Sequence, residues 1–363
     1  MTKKNVLIVT HPLGKNVGGI LQALALQKFI ESLGVSVVTA DFRPSALRGL
    51  GLLKYYVAGF FKKPSIRLLF QSKFRAFGLN QQFLATYIRT TRCIKDRNDL
   101  AKFVSENAFD SLVVGSDQIW RPKYVPDLRV YFLDFDNCKT KKISYAASFG
   151  VSDLEYGKDE LVMASKALSD FSVVTVRESH AVDLCKKYLN VEATWVCDPT
   201  LLHDSSFYTG YESKAVITKS KFIFSYILDL DEHKRRIIND VCEKYGFSAC
   251  CINSTSYGLV DQDGSLYSPG EWLSLIRDAE FVLTDSYHGM LFSIIYRKPF
   301  YVFVNEGRGA SRFTSVLDEL GLQNRLLSNE FLCCLEPIEY DDAFEANLAR
   351  FIGQSRELLV REL

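Results

Sequence analysis

Asn5-Val6-Leu7-Ile8-Val9-Thr10, then Gly18-Gly19-Ile20-Leu21, then Val35-Ser36-Val37-Val38-Thr39-Ala40 decide the fold class. The first run is short, apolar and rich in Val and Ile, as a strand is. A loop, His11 to Val17, leads to the two glycines, where a helical pattern starts. Ile20, Leu21, Leu24, Phe29 and Leu33 fall near one helical face, and Gly34 closes it. Val35 to Ala40 is again strand-like. A β-α-β unit results, and its crossover makes the two strands parallel.

The alternation continues outward. Strand runs recur at Ser111 to Gly115, Ile143 to Ala147 and Ser172 to Val176, with helical patterns at 153–169 and 178–189. A second series starts at Lys221, with strands at Phe222 to Ile227, Ser248 to Ile252, Phe281 to Thr284 and Phe300 to Val304. Helical patterns at Glu232 to Tyr245, Glu271 to Ala279 and Gly289 to Tyr296 separate them. With a break near 190–220, this predicts an α/β protein of two Rossmann-like domains facing a central cleft. The expected domains are 1–190 and 191–335, followed by a helical tail at 336–363. The length, 363 residues, also suits two domains. Ligands of such sheets bind beyond the carboxyl ends of the strands.

Composition narrows the function classes. Hydrophobic residues make up 47% and charged residues 24%, enough for a real core and against disorder. With 44 basic and 43 acidic residues the formal charge is +1, so no global field draws the chain to nucleic acid. Nine cysteines show no C-x-x-C and no metal spacing, and they read as reduced core residues of a cytoplasmic protein. No apolar run is long enough for a membrane span. G-x-x-x-x-G-K, G-x-G-x-x-G and H-E-x-x-H are all missing, which argues against a P-loop, a bound dinucleotide and a zinc protease.

The near-neutral average hides one asymmetry. Between Asp41 and Asp96 lie eleven basic residues and no acidic one. Aromatic and aliphatic residues interleave with them, as in Phe60-Phe61-Lys62-Lys63. Two readings stand: an amphipathic segment at an anionic membrane surface, or a helical insertion, 43–95, packed on its own domain.

Three loops after strands can carry chemistry. Asn16, Gly18 and Gly19 open a helix whose free amides suit an anion, although paired glycines also serve tight packing. Val114-Gly115-Ser116-Asp117-Gln118-Ile119-Trp120-Arg121-Pro122 offers Asp117 as a proton acceptor and Trp120 as a platform for a sugar ring. The plainer alternatives are a helix cap and a core plug. Thr284-Asp285-Ser286-Tyr287-His288-Gly289 places an imidazole at a helix start, where it either donates a proton or serves the structure. Arg177, Arg308 and Arg312 lie on neighbouring loops, and guanidinium forks suit carboxylate and phosphate.

Taken in order, six segments resemble the polysaccharide pyruvyl transferase family. They are Asn16 to Gln27, Val114 to Pro122, Ser144 to Gly150, Val176 to Ser179, Cys197 to Leu202, and Thr284 to Gly289. The resemblance implies a two-domain fold like that of GT-B glycosyltransferases. It also implies transfer of a pyruvyl group from phosphoenolpyruvate to two hydroxyls of one sugar, closing a cyclic ketal in capsule or exopolysaccharide synthesis. No metal or other cofactor is implied. By position, the family histidine falls on His288, a donor-binding arginine on Arg177 and the G-S-D loop on Asp117. Where some members carry an arginine two residues before the histidine, this chain has Ser286. Either Arg308 or Arg312 supplies that charge, or the donor sits differently.

The chemistry of that reaction then leads us to expect His288 as the acid and Asp117 as the base, with Arg177, Arg308, Arg312 and Ser286 around the donor. Asn16, Gly18, Gly19 and Trp120 are left for the acceptor. A lipid-linked acceptor would suit the basic stretch and a peripheral place on the inner membrane face. The rival readings are a GT-B glycosyltransferase using a nucleotide sugar and a non-catalytic, membrane-associated assembly factor.

Overall fold

A computed structural model describes residues 4–14, 16–43, 77–135, 138–213, 221–255, 258–304, 309–327 and 336–363. Among them Asn5–Val9 (β1), Ser36–Phe42 (β2), Thr90–Ile94 (β3), Ser111–Val114 (β4), Lys141–Ser144 (β5) and Phe171–Val173 (β6) form one sheet. Its order is β3-β2-β1-β4-β5-β6 and every pairing is parallel. Thr175–Val176 (β7) and Thr194–Trp195 (β8) make a small parallel pair beside it.

The second sheet contains Phe222–Tyr226 (β9), Ser248–Thr255 (β10), Gly258–Asp261 (β11), Leu266–Tyr267 (β12), Phe281–Thr284 (β13), Phe300–Phe303 (β14) and Leu326–Leu327 (β15). Its order is β12-β11-β10-β9-β13-β14-β15, with β11 and β12 antiparallel at one edge. The two sheets answer the α/β, two-lobed expectation. Strands β1 and β9 lie at the centres of their sheets, which is why Val6 to Val9 and all of Phe222–Tyr226 are buried and both runs are dominated by apolar residues. Strand order reverses beside each of them, at β1/β4 and at β9/β13. A crevice opens at such a switch point, so the loops after these four strands are where a ligand can enter.

The helix Val17–Ser32 is buried on nearly every side. It packs not only on its own sheet but also on the turn Pro199–Leu202 and the helix Pro269–Asp278. Small and apolar residues therefore occupy positions that a surface helix would give to polar ones. The last helix, Asp342–Glu362, buries Phe344, Leu348, Phe351, Ser355 and Leu359 along one stripe. It returns to the first sheet, where Glu362 pairs with Lys141 at 3.1 Å and Ser355 Oγ accepts from the Cys197 amide at 2.9 Å.

The basic stretch needs a correction. Residues 77–87 are helical, but Thr90–Ile94 pairs with β2 as an edge strand, so 90–94 belongs to the sheet and not to an insertion. Its alternating exposure, with only Ile94 buried, is what an edge permits. Lys54, Lys62, Lys63 and Arg67 lie outside the described residues. Among the described residues no disulfide joins cysteines, and no helix is long and apolar enough to cross a membrane.

Candidate active site

The loops after β1, β2, β4, β9 and β13 enclose a cleft of about 940 Å³ between the lobes. His11, Asn16, Gly19 and Asp117 line it from the first lobe, and His288 and Arg312 from the second.

His288 is fixed by local sequence. Strand β13 ends at Thr284, and Ser286 caps the next helix, its Oγ accepting from the Gly289 amide at 3.3 Å. The helix Tyr287–Ile295 is buried throughout, so the imidazole in its first turn cannot swing away. Beneath it, the buried Asp285 accepts from the Leu228 and Asp229 amides at 2.6 and 3.1 Å and from Lys234 Nζ at 2.9 Å. This ties the loop after β9 to the loop that carries His288. Burial lowers the His288 pKa below 6.5, and the nearby Asp198 carboxylate opposes that shift. Nε2 of the ring is buried without a hydrogen-bond partner.

From the opposite lobe, Asn16 caps the helix Val17–Ser32 by accepting from the Gly18 amide at 3.1 Å. Gly18 lies against the imidazole: a Cβ there would stand 2.1 Å from His288 Nδ1. At Gly19 it would stand 3.4 Å from Asp117 Oδ2. The glycine pair therefore allows the imidazole and the carboxylate to approach the same helix start.

Asp117 has φ of 93°, left-handed backbone that costs a non-glycine residue about 1–3 kcal/mol. The surrounding bonds enforce it: its carbonyl accepts from the Ile119 and Ser148 amides at 2.7 and 3.1 Å. Its Oδ1 accepts from the adjacent Gln118 amide at 2.8 Å, so the side chain braces its own turn, while Arg121 and not Asp117 precedes the helical turn Pro122–Tyr124. Burial alone would raise the carboxyl pKa, but His11, Arg177 and His288 pull it down to about 2, so it is ionised at neutral pH.

A polar cluster backs this pair. Arg177 Nη1 donates to Asp198 Oδ2 at 3.1 Å and to Ser116 Oγ at 3.3 Å, and its guanidinium lies 4.6 Å from the Tyr287 ring. Arg312 sits 5.7 Å from the same ring. Its Nε, the Tyr287 hydroxyl and two nitrogens of Arg177 are buried without hydrogen bonds, although Arg177 Nε pairs with Glu178 at 3.6 Å and Nη2 with Asp117 at 4.0 Å. Burial and the nearby Arg177 lower the Arg312 pKa to about 10, which leaves it charged at neutral pH.

The structure brings His288, Asp117, Arg312, Ser286, Asn16 and Gly19 to one cleft, with Gly18 against the imidazole. Two expectations change. Trp120 is fully buried, 5.2 Å from Phe132 in a stacked pair, with Nε1 donating to the Tyr131 carbonyl, so no face is open to a sugar. The aromatic that the same loop gives the cleft is Tyr124, 38% exposed and backed by the Arg121 guanidinium at 4.7 Å. Arg177 is 1% exposed and stands behind the cleft wall, where it supports Asp198 and Tyr287 in place of the expected direct hold on a donor. Arg308 lies outside the described residues.

Sequence reasoning gave no role to Asp198, Tyr287 and His11, which stand beside His288, Arg312 and Asp117. Asp198 sat in a quoted segment, and the Asp-Pro step marked a cap, but only the fold carries it to His288. Among the described residues no group of three His, Cys, Asp or Glu is arranged to hold a metal ion.

The family model for polysaccharide pyruvyl transferase matches residues 16–307. No curated protein matches the chain in sequence. Among solved structures, the UDP-GlcNAc 2-epimerase from Methanocaldococcus jannaschii is similar over 99% of each chain, at 12% identity and a TM-score of 0.52. The UDP-GlcNAc 2-epimerase from Neisseria meningitidis bound to UDP-GlcNAc is similar over 99% of this chain and 98% of its own, at 10% identity and a TM-score of 0.50. At such identity the likeness is one of fold, the two-lobed GT-B arrangement.

Proposed function

The chain belongs to the polysaccharide pyruvyl transferase family, and from that premise we propose that it moves the pyruvyl group of phosphoenolpyruvate onto two hydroxyls of one sugar. One observation carries the reading: two separate lobes bring an imidazole, an ionised carboxylate and an arginine with an unpartnered nitrogen into one cleft. That set suits acid–base addition to an anionic enol ester.

The steps balance. A sugar hydroxyl adds through oxygen to C2 of phosphoenolpyruvate and gives its proton to Asp117. His288, as imidazolium, protonates C3, and the methylene becomes a methyl. The C2–O bond to phosphate breaks, with the departing charge held by Arg312 and the capped helix start at Ser286. A second hydroxyl then attacks C2 and closes the ketal, giving its proton to His288, while Asp117 passes its own to the departing phosphate, so both groups return to their starting state. Of the two hydroxyl protons, one ends on the methyl group and one on phosphate. His288 is held neutral by burial until the donor's charge raises its proton affinity. Arg308 is a further candidate for the donor's charge.

On the acceptor side, the helix start at Asn16, Gly18 and Gly19 and the exposed Tyr124 face the sugar. A lipid-linked acceptor in capsule or exopolysaccharide synthesis suits the basic stretch, which would bind an anionic membrane surface. The reading is tested by phosphate release from phosphoenolpyruvate across a panel of free and lipid-linked sugars, with mass spectrometry of the product. A ketal, adding the mass of pyruvate less water, is expected. Thermal stabilisation by nucleotide sugars and not by phosphoenolpyruvate would overturn it.

A further inference from the structure

We infer that Asp198 is a positioning residue for His288, taking the Nε2 edge of the ring and leaving Nδ1 as the nitrogen that meets substrate. The inference rests on the proton-donor role proposed above.

Asp198 follows β8 and is fully buried, with both oxygens engaged. Oδ1 accepts from the Thr200 amide at 3.0 Å and from Thr200 Oγ1 at 2.8 Å. Oδ2 accepts from Ser116 Oγ at 3.0 Å and from Arg177 Nη1 at 3.1 Å. Four donors from three segments leave the carboxylate no rotation. Its Oδ2 stands 3.7 Å from His288 Nε2, the buried ring nitrogen that has no partner. At that ion-pair distance the fixed carboxylate favours a proton on Nε2 over one on Nδ1. Nδ1 lies on the other edge, at the start of the helix Val17–Ser32, where only a glycine lets the ring stand this close, and His288 lines the cleft.

Charged groups reach the imidazole from every side. Asp198 comes from the turn after β8, Arg177 from the end of β7, Asp117 from the loop after β4 and Arg312 from the helix Ser311–Leu320. The arginines oppose protonation and the carboxylates favour it, with Asp198 the stronger of the two. An imidazolium that gives its proton at Nδ1 keeps the Nε2 proton towards Asp198, so one nitrogen is held while the other reacts. A carboxylate serving only to neutralise Arg177 would have no reason to face Nε2.

The test is nuclear magnetic resonance of the full chain with ¹⁵N-labelled histidine, titrated with pH, with His288→Gln used to assign the signal. In the unaltered protein the neutral ring is expected as the Nε2–H form. Asp198→Asn is expected to weaken proton binding at His288 about tenfold or more and to erode the Nε2–H preference. Thr200→Val keeps the charge and removes one anchor, so a smaller erosion of the tautomer preference there separates aim from charge. It also carries the test if Asp198→Asn does not fold. In turnover assays both variants should lower kcat while the KM for phosphoenolpyruvate stays within about threefold, and Asp198→Asn should move the limiting ionisation to lower pH. An unchanged tautomer preference in the folded variants overturns the inference. If phosphoenolpyruvate is not turned over at all, the functional reading fails, and the spectra still decide whether Asp198 holds Nε2.

Discussion

A methyl group on Gly18 would lie 2.1 Å from Nδ1 and 2.5 Å from Cγ of His288, so the helix start of one lobe and the imidazole of the other share a single van der Waals boundary. No L-residue but glycine fits at position 18 without moving the ring, and the buried helix behind His288 leaves it little room to move. Gly18→Ala should therefore lower turnover by about a hundredfold, since small displacements of reacting groups cost that much. The fold should survive, because the Asn16 cap is untouched. Gly19→Ala should be far milder, about threefold, since its methyl would meet Asp117 Oδ2 at an ordinary 3.4 Å. Turnover and circular dichroism of both variants check this, and equal losses in the two would contradict it.

How legible was this boundary in the sequence? The β-α-β start, both strand series and the loops after β1, β4 and β13 could be read from apolar runs, because central parallel strands have no polar face to disguise them. Strand β3 could not be read that way. Thr90-Thr91-Arg92-Cys93-Ile94 is an edge strand, only Ile94 is buried, and it follows a long basic stretch. The site divides similarly. His288, Asp117 and Arg312 can be named from their loops, whereas Trp120 and Arg177 lie one layer deeper than their place after a strand suggests. An aromatic or an arginine after a strand reads the same whether it faces the cleft or backs it. Asp198 reaches His288 only once the sheets are assembled.

Arg312 enters the cleft as a cation with an unpartnered buried Nε, and Tyr287 lies beside it at 5.7 Å. Hydrogen bonds to charged groups contribute about 1.5–3 kcal/mol. Arg312→Gln should thus weaken phosphoenolpyruvate binding about tenfold to a hundredfold, measured by calorimetry. Arg312→Lys should recover only part of this, because an ammonium lacks the planar fork. Unchanged affinity in Arg312→Gln would remove the residue from the donor site.

Two buried groups of the cleft, His288 and Asp117, contribute to the response to acid in separate windows, and the buried Asp198, also held below its ordinary value, adds to the lower one. His288 has its folded pKa below the ordinary 6.5, so the unfolded chain binds that proton more readily and stability falls as pH drops through about 6.5. Asp117, held at about 2 against an ordinary 3.8, adds about 2 kcal/mol that is present above pH 3.8 and lost as pH falls towards 2. Denaturant midpoints from pH 8 to 3 should decline in both windows. His288→Gln should flatten the upper one, and Asp117→Asn should make the lower one shallower. Because the donor's charge raises the proton affinity of His288, phosphoenolpyruvate binding at pH 7 should take up a proton. Binding enthalpies in two buffers of different ionisation heat measure this, and a zero uptake would mean that His288 does not face the donor.

The pair Lys234–Asp285 supports the floor of the site. Nζ and Oδ2 are 2.9 Å apart, Asp285 is fully buried, and Lys234 also donates to the Asp229 carbonyl at 2.7 Å. Removing one charge strands the other in a medium that solvates it poorly, which costs about 3–5 kcal/mol. Asp285→Asn should lose stability on that scale in urea unfolding. The double variant Lys234→Met with Asp285→Asn should regain much of it, since no uncompensated charge remains. Activity separates the roles further. Asp285 accepts from the amides of Leu228 and Asp229, so its carboxylate holds the β9 loop against the residue that precedes Ser286. The double variant should then be stable yet slow, with kcat reduced more than donor affinity, because His288 keeps its ring but loses the fixed loop beneath it. A double variant as active as the unaltered chain would show that packing of the helix Tyr287–Ile295 alone holds the imidazole in place.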